Sequence, residues 1–151
     1  MPSTAAAADP LALERQVCFA LAVATRTVLS VYRPVLEPMG LTHPQYLVML
    51  ALWEHGPTAV KDLGARLELD SGTLSPLLKR LEANGLVTRS RDPQDERALT
   101  VTLTEKGRRL RKRAERVPEQ IVARLGIDVA ELEELHGRLI RVIAAATAAT
   151  A

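Results

Sequence analysis

The chain has 151 residues, 47% apolar and 25% charged, with 20 Lys+Arg against 18 Asp+Glu for a formal net charge of +2. That length can bury a core, as one compact domain or one domain with a dimerisation module, and with only one Trp, two Tyr and one Phe the core must rest on Leu, Val and Ala, which favours helices. No uninterrupted apolar stretch reaches the roughly 18 residues that span a bilayer, and the start Met-Pro-Ser-Thr-Ala-Ala-Ala-Ala lacks a basic segment followed by an apolar one, so a cytoplasmic location off the membrane is expected.

In chain order, residues 1–10 are expected to be a frayed or disordered N-terminus, with Asp9 as a cap and Pro10 in the first turn of a helix running to about Leu36. Leu13, Val17, Leu21, Ala24, Val28 and Val31 recur along it at three- and four-residue steps, and Pro34 is placed to bend or end it. Thr42-His-Pro-Gln45 is a capping box that opens an almost wholly apolar helix, Pro44 to His55, closed by Gly56-Pro57. Thr58 to Leu67 and then Asp70 to Asn84 are two short amphipathic helices with a tight link, a helix-turn-helix. Residues 86–91 and 98–103 alternate like strands around a polar turn at 92–97, and a hairpin after the second helix makes a wing. Thr104 starts a long helix to about Leu125, bent near Pro118, and Asp128 with Glu131 caps a last helix, which ends in the Ala-rich tail 144–151.

The predicted fold class is therefore mainly α: a winged helix-turn-helix region over 41–117, with a recognition helix at about 71–84 and a wing at about 86–103. Terminal helices over 11–40 and 118–147 carry apolar stripes that no third layer of the chain covers, so they are assigned to dimerisation. In the second helix of the motif, Leu74, Leu77, Leu78 and Leu81 line one side, and Asp70 or Ser71 caps it. Ser71, Thr73, Ser75, Pro76, Lys79 and Arg80 remain on the other side, hydroxyls for base edges or phosphates and cations for phosphate. On the wing, Arg89, Arg91 and Arg97 are placed to touch backbone or enter the minor groove, with Asp95 holding Arg97 in direction. Residues 60–116 hold 14 basic and 9 acidic side chains, a local +5, while the rest of the chain holds 6 and 9, so the basic charge sits with the motif. The run Lys106 to Arg113 contributes to that bias and reads equally as a solvated helix face.

Leu41-Thr-His-Pro-Gln-Tyr-Leu, Leu69-Asp-Ser-Gly-Thr-Leu-Ser-Pro-Leu-Leu-Lys-Arg-Leu-Glu, Gly85-Leu-Val-Thr-Arg, Asp95-Glu-Arg97 and Leu103-Thr-Glu-Lys-Gly107, taken together, resemble bacterial MarR-type winged-helix repressors. Gln16-Val-Cys-Phe-Ala, Tyr32-Arg-Pro-Val-Leu and Pro44-Gln-Tyr-Leu are similar to the organic-hydroperoxide branch of that family, OhrR. The motifs run from about Glu14 to Gly107, and the helical layout continues to the end. The resemblance implies a homodimer on a pseudo-palindromic double-stranded operator, with an organic hydroperoxide as inducer.

It also puts weight on Cys18, the lone cysteine. In that branch the matching cysteine is the peroxide sensor, held by tyrosine hydroxyls of the other subunit; Tyr32 matches one of them, and the second position is Ala22 here. With Cys18 early in a helix that begins at Asp9, the helix dipole would help a thiolate only in part. Without a second cysteine to resolve it, oxidation stops at sulfenate, is capped by a low-molecular-weight thiol, or overoxidises. Apolar neighbours such as Phe19, Leu21 and Leu50 favour organic peroxides, as the family implies. Two other readings stay open: a repressor gated by a small phenolic or other ligand with Cys18 inert, and a thiol peroxidase. For the enzyme no threonine and arginine are arranged around Cys18. His43, His55 and His136 are scattered without catalytic or ligand spacing, so neither a metal nor a cofactor is expected.

Overall fold

A computed structural model describes residues 9–151; the side chains of Asp92, Asp95, Glu96 and Arg97 are outside the described set. After a 3-10 turn at Leu13–Arg15, α1 runs Val17–Leu36, so the helix expected from Pro10 begins seven residues later. Asp9 accepts from the Leu11 N–H (2.9 Å) and caps a turn rather than the helix, and the Gln16 side-chain amide donates to the carbonyls of Pro10 (2.8 Å) and Ala12 (3.1 Å), which holds this segment in turns. Pro34 is accommodated inside α1, which reaches Leu36 as expected.

The Thr42 capping box opens α2 (His43–His55): the Thr42 N–H donates to Gln45 Oε1 (3.0 Å), and Gln45 N–H returns to Thr42 Oγ1 (3.4 Å). Tyr46, Val48, Met49, Ala51 and Leu52 bury this helix on several sides. Gly56, at φ +72°, turns the chain into β1 (Thr58–Ala59), which had been expected to be helical; its two residues pair instead with the open side of β3, Thr58 opposite Val101 and Ala59 opposite Thr100. The helix-turn-helix follows as α3 (Val60–Leu67) and α4 (Ser71–Ala83).

The wing is β2 (Val87–Asp92) against β3 (Asp95–Leu103), and the antiparallel sheet has the order β1-β3-β2. The strands run further than the sequence suggested, consuming most of the expected 92–97 loop, with an irregular register between Arg91 and Asp92. Glu105–Ala114 and Val117–Leu125 form two helices, α5 and α6, not one bent helix. Pro118 lies in the first turn of α6, where its missing N–H is tolerated, and a new helix starts there. The last helix, α7 (Val129–Thr150), has Asp128 at its N-cap without a side-chain cap bond, and its alanines stay helical where a frayed tail was expected, in keeping with their high helix propensity.

One core, from Val35 to Ile121, joins the end of α1 to α2, α3, α4, the sheet, α5 and α6, with Leu36, Met49, Leu52, Leu63, Leu74, Leu78, Leu81 and Val101 sealed inside. Two contacts lock α5 to it: Trp53 Nε1–H donates to the Gly107 carbonyl (2.9 Å), and a Cβ at Gly107 would collide with the Leu86 carbonyl. By contrast α7 buries none of its residues, and α1 buries only Val35 and Leu36. The helical stretch Val17–Met39, with a mean hydropathy of 1.2, is long and apolar enough to cross a membrane by length and composition, a test that the core helix of a soluble protein or a signal sequence also passes.

Candidate DNA-binding face and redox site

The helix α4 is held from both ends. Asp70 Oδ1 accepts the Thr73 N–H at 2.7 Å, and that bond holds the Asp70 carboxyl below the usual carboxylate range. At the other end Gly85, at φ +70°, reverses the chain, and the Leu86 N–H donates to the Leu81 carbonyl (3.0 Å). Between them Leu74, Leu77, Leu78 and Leu81 are buried, and this orients the rest: Ser71, Thr73, Pro76, Lys79 and Arg80 are exposed and Ser75 half-exposed. The six side chains expected to face DNA thus share the open side of one anchored helix.

The wing arginines divide. Arg91 is exposed. Arg89 is half-buried, and its Nε and Nη2 donate to Glu82 Oε1 (2.6 Å) and Oε2 (3.3 Å) at the end of α4. Glu82, which sequence reasoning passed over, therefore occupies the guanidinium expected to reach DNA. The side chains of Asp95 and Arg97 lie outside the described residues.

Cys18 is a free, exposed thiol. Because α1 starts at Val17, Cys18 sits in its first turn instead of two turns in, and no side chain caps that turn, so the positive end of the helix dipole lies beside the sulfur. Tyr32 is fourteen positions further along the same helix, which at 1.5 Å per residue is about 21 Å. One chain cannot bring the two together. Around Tyr32 the structure instead assembles an aromatic cluster: His43 packs edge-on with ring centroids 5.0 Å apart, and Tyr46 lies 6.1 Å from Tyr32 and 6.3 Å from His43. Burial raises the phenols of Tyr32 and Tyr46, the latter also through Tyr32, and it lowers His43, so the hydroxyls remain donors and the imidazole stays neutral at pH 7. His43 had been set aside as scattered; its neighbour is eleven positions away across a helix boundary, and no local spacing signals that. Phe19, Leu21 and Leu50 are partly exposed in the single chain. Among the described residues no cluster of His, Cys, Asp and Glu could hold a metal ion.

Residues 41–99 match the MarR family profile. The organic hydroperoxide resistance transcriptional regulator of Bacillus subtilis strain 168 is 42% identical over 131 residues, 87% of this chain and 89% of the relative. The chain belongs to the MarR family. Its winged fold agrees with solved members. The structure of reduced AbfR bound to DNA superposes with a TM-score of 0.69 at 39% identity over 86% of this chain and 93% of that one. The PcaV regulator of Streptomyces coelicolor, in complex with its natural ligand, gives 0.78 at 26% identity over 92% and 99%. The relatives are transcriptional regulators, and this chain is a MarR-family transcriptional regulator.

Proposed function

We propose that this MarR-family chain is a cytoplasmic, homodimeric repressor that holds a pseudo-palindromic operator while Cys18 is reduced and releases it when an organic hydroperoxide oxidises Cys18. The observation that carries the reading is the exposed thiol in the uncapped first turn of α1, in a chain 42% identical to an organic hydroperoxide regulator. The distance along α1 supports a site built between subunits, with Cys18 of one chain meeting Tyr32, backed by His43, of the other. In the reaction the Cys18 thiolate attacks the distal peroxide oxygen; the S–O bond forms as the O–O bond breaks, and the alkoxide leaves as the alcohol with the proton first held by the thiol. A small thiol can then condense with the sulfenic acid, releasing water and leaving a mixed disulfide. Loss of the contact at Tyr32 shifts α1 and changes the spacing of the two recognition helices. Ser71, Thr73, Ser75 and Pro76 face the groove, Lys79 and Arg80 its phosphates, and Arg91, Asp95 and Arg97 serve the wing.

Mass spectrometry of Cys18 and an operator-binding assay on the same cumene-hydroperoxide-treated sample test the switch. Wild type is expected to gain oxygen or a thiol adduct and release DNA, while Cys18→Ser binds DNA and ignores the peroxide. Release by Cys18→Ser at the wild-type dose would transfer the assignment to a ligand-gated repressor, the reading favoured by the likeness to ligand-bound PcaV, or to nonspecific oxidation elsewhere in the chain. Tyr32→Phe removes the hydroxyl and His43→Ala the ring that packs on Tyr32. Tyr32→Phe should slow Cys18 oxidation about tenfold or more, on the order of one lost hydrogen bond to a charged group, and His43→Ala should slow it less, with reduced-state DNA binding nearly intact in both. Unchanged oxidation rates in both would take the aromatic cluster out of the sensor.

A further inference from the structure

Glu82 stands in the last turn of α4, at the negative end of the helix dipole, where a carboxylate is disfavoured and a cation preferred. Something else must hold it there. Seven residues on, Arg89 lies on the same face of β2 as the buried Val87 and opposite the sealed Val101, so its stem points at the core side of the sheet. The two meet in a fork of 2.6 and 3.3 Å with side chains only 31% and 20% exposed, and the guanidinium holds the Glu82 carboxyl below the usual carboxylate range. The base of the wing is already pinned: the Thr104 N–H donates to the Leu86 carbonyl (3.0 Å), and Thr104 Oγ1–H to the Gly85 carbonyl (2.6 Å). At the rows of Arg89 and Ser90 the sheet is still three-stranded, with Thr58 and Ala59 of β1 on the far side of β3, and beyond them β2 and β3 continue as a two-stranded ribbon that can tilt and twist. The Glu82–Arg89 pair ties β2 to the helix just before that free ribbon begins.

We propose that Glu82 and Arg89 form a brace that fixes the pitch of the wing against the recognition helix, so that operator affinity depends on this ion pair although neither residue touches DNA. A helix in the major groove and a wing tip beside it must fit one duplex at once, so freedom between them is lost on binding and weakens both contacts together. The inference rests on the operator-binding reading, and it reassigns Arg89 from a DNA contact to a positioning residue.

The test uses the reduced full-length chain and a duplex selected on the wild-type protein from a random-sequence pool, with affinity measured by anisotropy over a salt series below every variant's melting transition. Glu82→Gln and Arg89→Gln should each weaken binding on the order of tenfold, as for partners within one network, and the exchanged pair Glu82→Arg with Arg89→Glu should recover to within about threefold of wild type. The slope of log affinity against log salt should stay at the wild-type value in Arg89→Gln, whereas loss of a phosphate contact lowers it by about 1. A lowered slope, no rescue by the exchange, or unchanged affinity in both single variants would each overturn the brace. Should Arg89→Gln not fold, the near-isosteric Glu82→Gln alone decides, since a brace requires its affinity to fall at constant salt slope. If wild type selects no duplex, the operator-binding reading itself fails, which none of these outcomes resembles.

Discussion

The winged half and the terminal helices of this chain are built from the same aliphatic residues to opposite ends. In the winged half every leucine on the inner side of α4 is buried, and α2 is covered on several sides. In the terminal helices Val129, Leu135, Ile140, Val142 and Ile143 of α7 and Val17 at the start of α1 are each close to half exposed or more. The difference is one of self-sufficiency: the DNA-reading half completes its own core, while α7 and the first part of α1 keep apolar surface that the chain leaves uncovered. The proposed homodimer would cover both stripes at once with a second copy under twofold symmetry. In the proposed switch, chemistry at Cys18 reaches DNA because disturbing helices shared between two copies moves the two winged halves as rigid bodies without unfolding either.

The largest expected effect comes from breaking the exposed stripe. Ile140→Asp with Ile143→Asp places two carboxylates in the proposed interface, and sedimentation velocity should show monomers that have lost specific operator binding while the winged half stays folded by circular dichroism. A variant that remains dimeric would show that α7 lies outside the interface and would erase the contrast between the two regions. Next comes the closed core. Leu78 is fully buried, and Leu78→Ala should lower the unfolding free energy by about 3 kcal/mol, read from denaturant melts. A loss below about 1 kcal/mol would mean that the winged half is not the self-sustaining one.

Which features were legible in the sequence follows from how local their causes are. The capping box at Thr42, the Asp70 cap and the leucine face of α4 are set within one or two turns, and each appears where the pattern placed it. The first residues of α1 were misplaced because Asp9-Pro10 is a good helix start that Gln16 diverts by bonding backward to Pro10 and Ala12, one local option chosen over another of similar strength. Thr58–Ala59 became a strand because β3, forty residues away, offered an open edge. The pairs that matter for the candidate sites were out of reach for the same reason: Glu82 with Arg89 and Tyr32 with His43 meet across element boundaries, where no periodicity speaks.

The smallest expected effect lies at the start of α4 and probes whether the closed half owes part of its order to charge. The Thr73 N–H holds the Asp70 carboxyl below its ordinary value of about 3.9, so the folded state favours the ionised form. A depressed carboxyl contributes stability that is fully present above the ordinary value and is lost as pH falls through the lowered one. Asp70→Asn keeps an oxygen acceptor for Thr73 but cannot titrate there. Glu82 is depressed too, by Arg89, and it titrates alike in both proteins, so the difference between wild type and Asp70→Asn isolates Asp70. Thermal melts from pH 7 downward should show a constant difference in favour of wild type at neutral pH that begins to shrink below about pH 4. A difference that stays flat through that range would mean that Asp70 holds the recognition helix by its hydrogen bond alone, with no contribution from its charge.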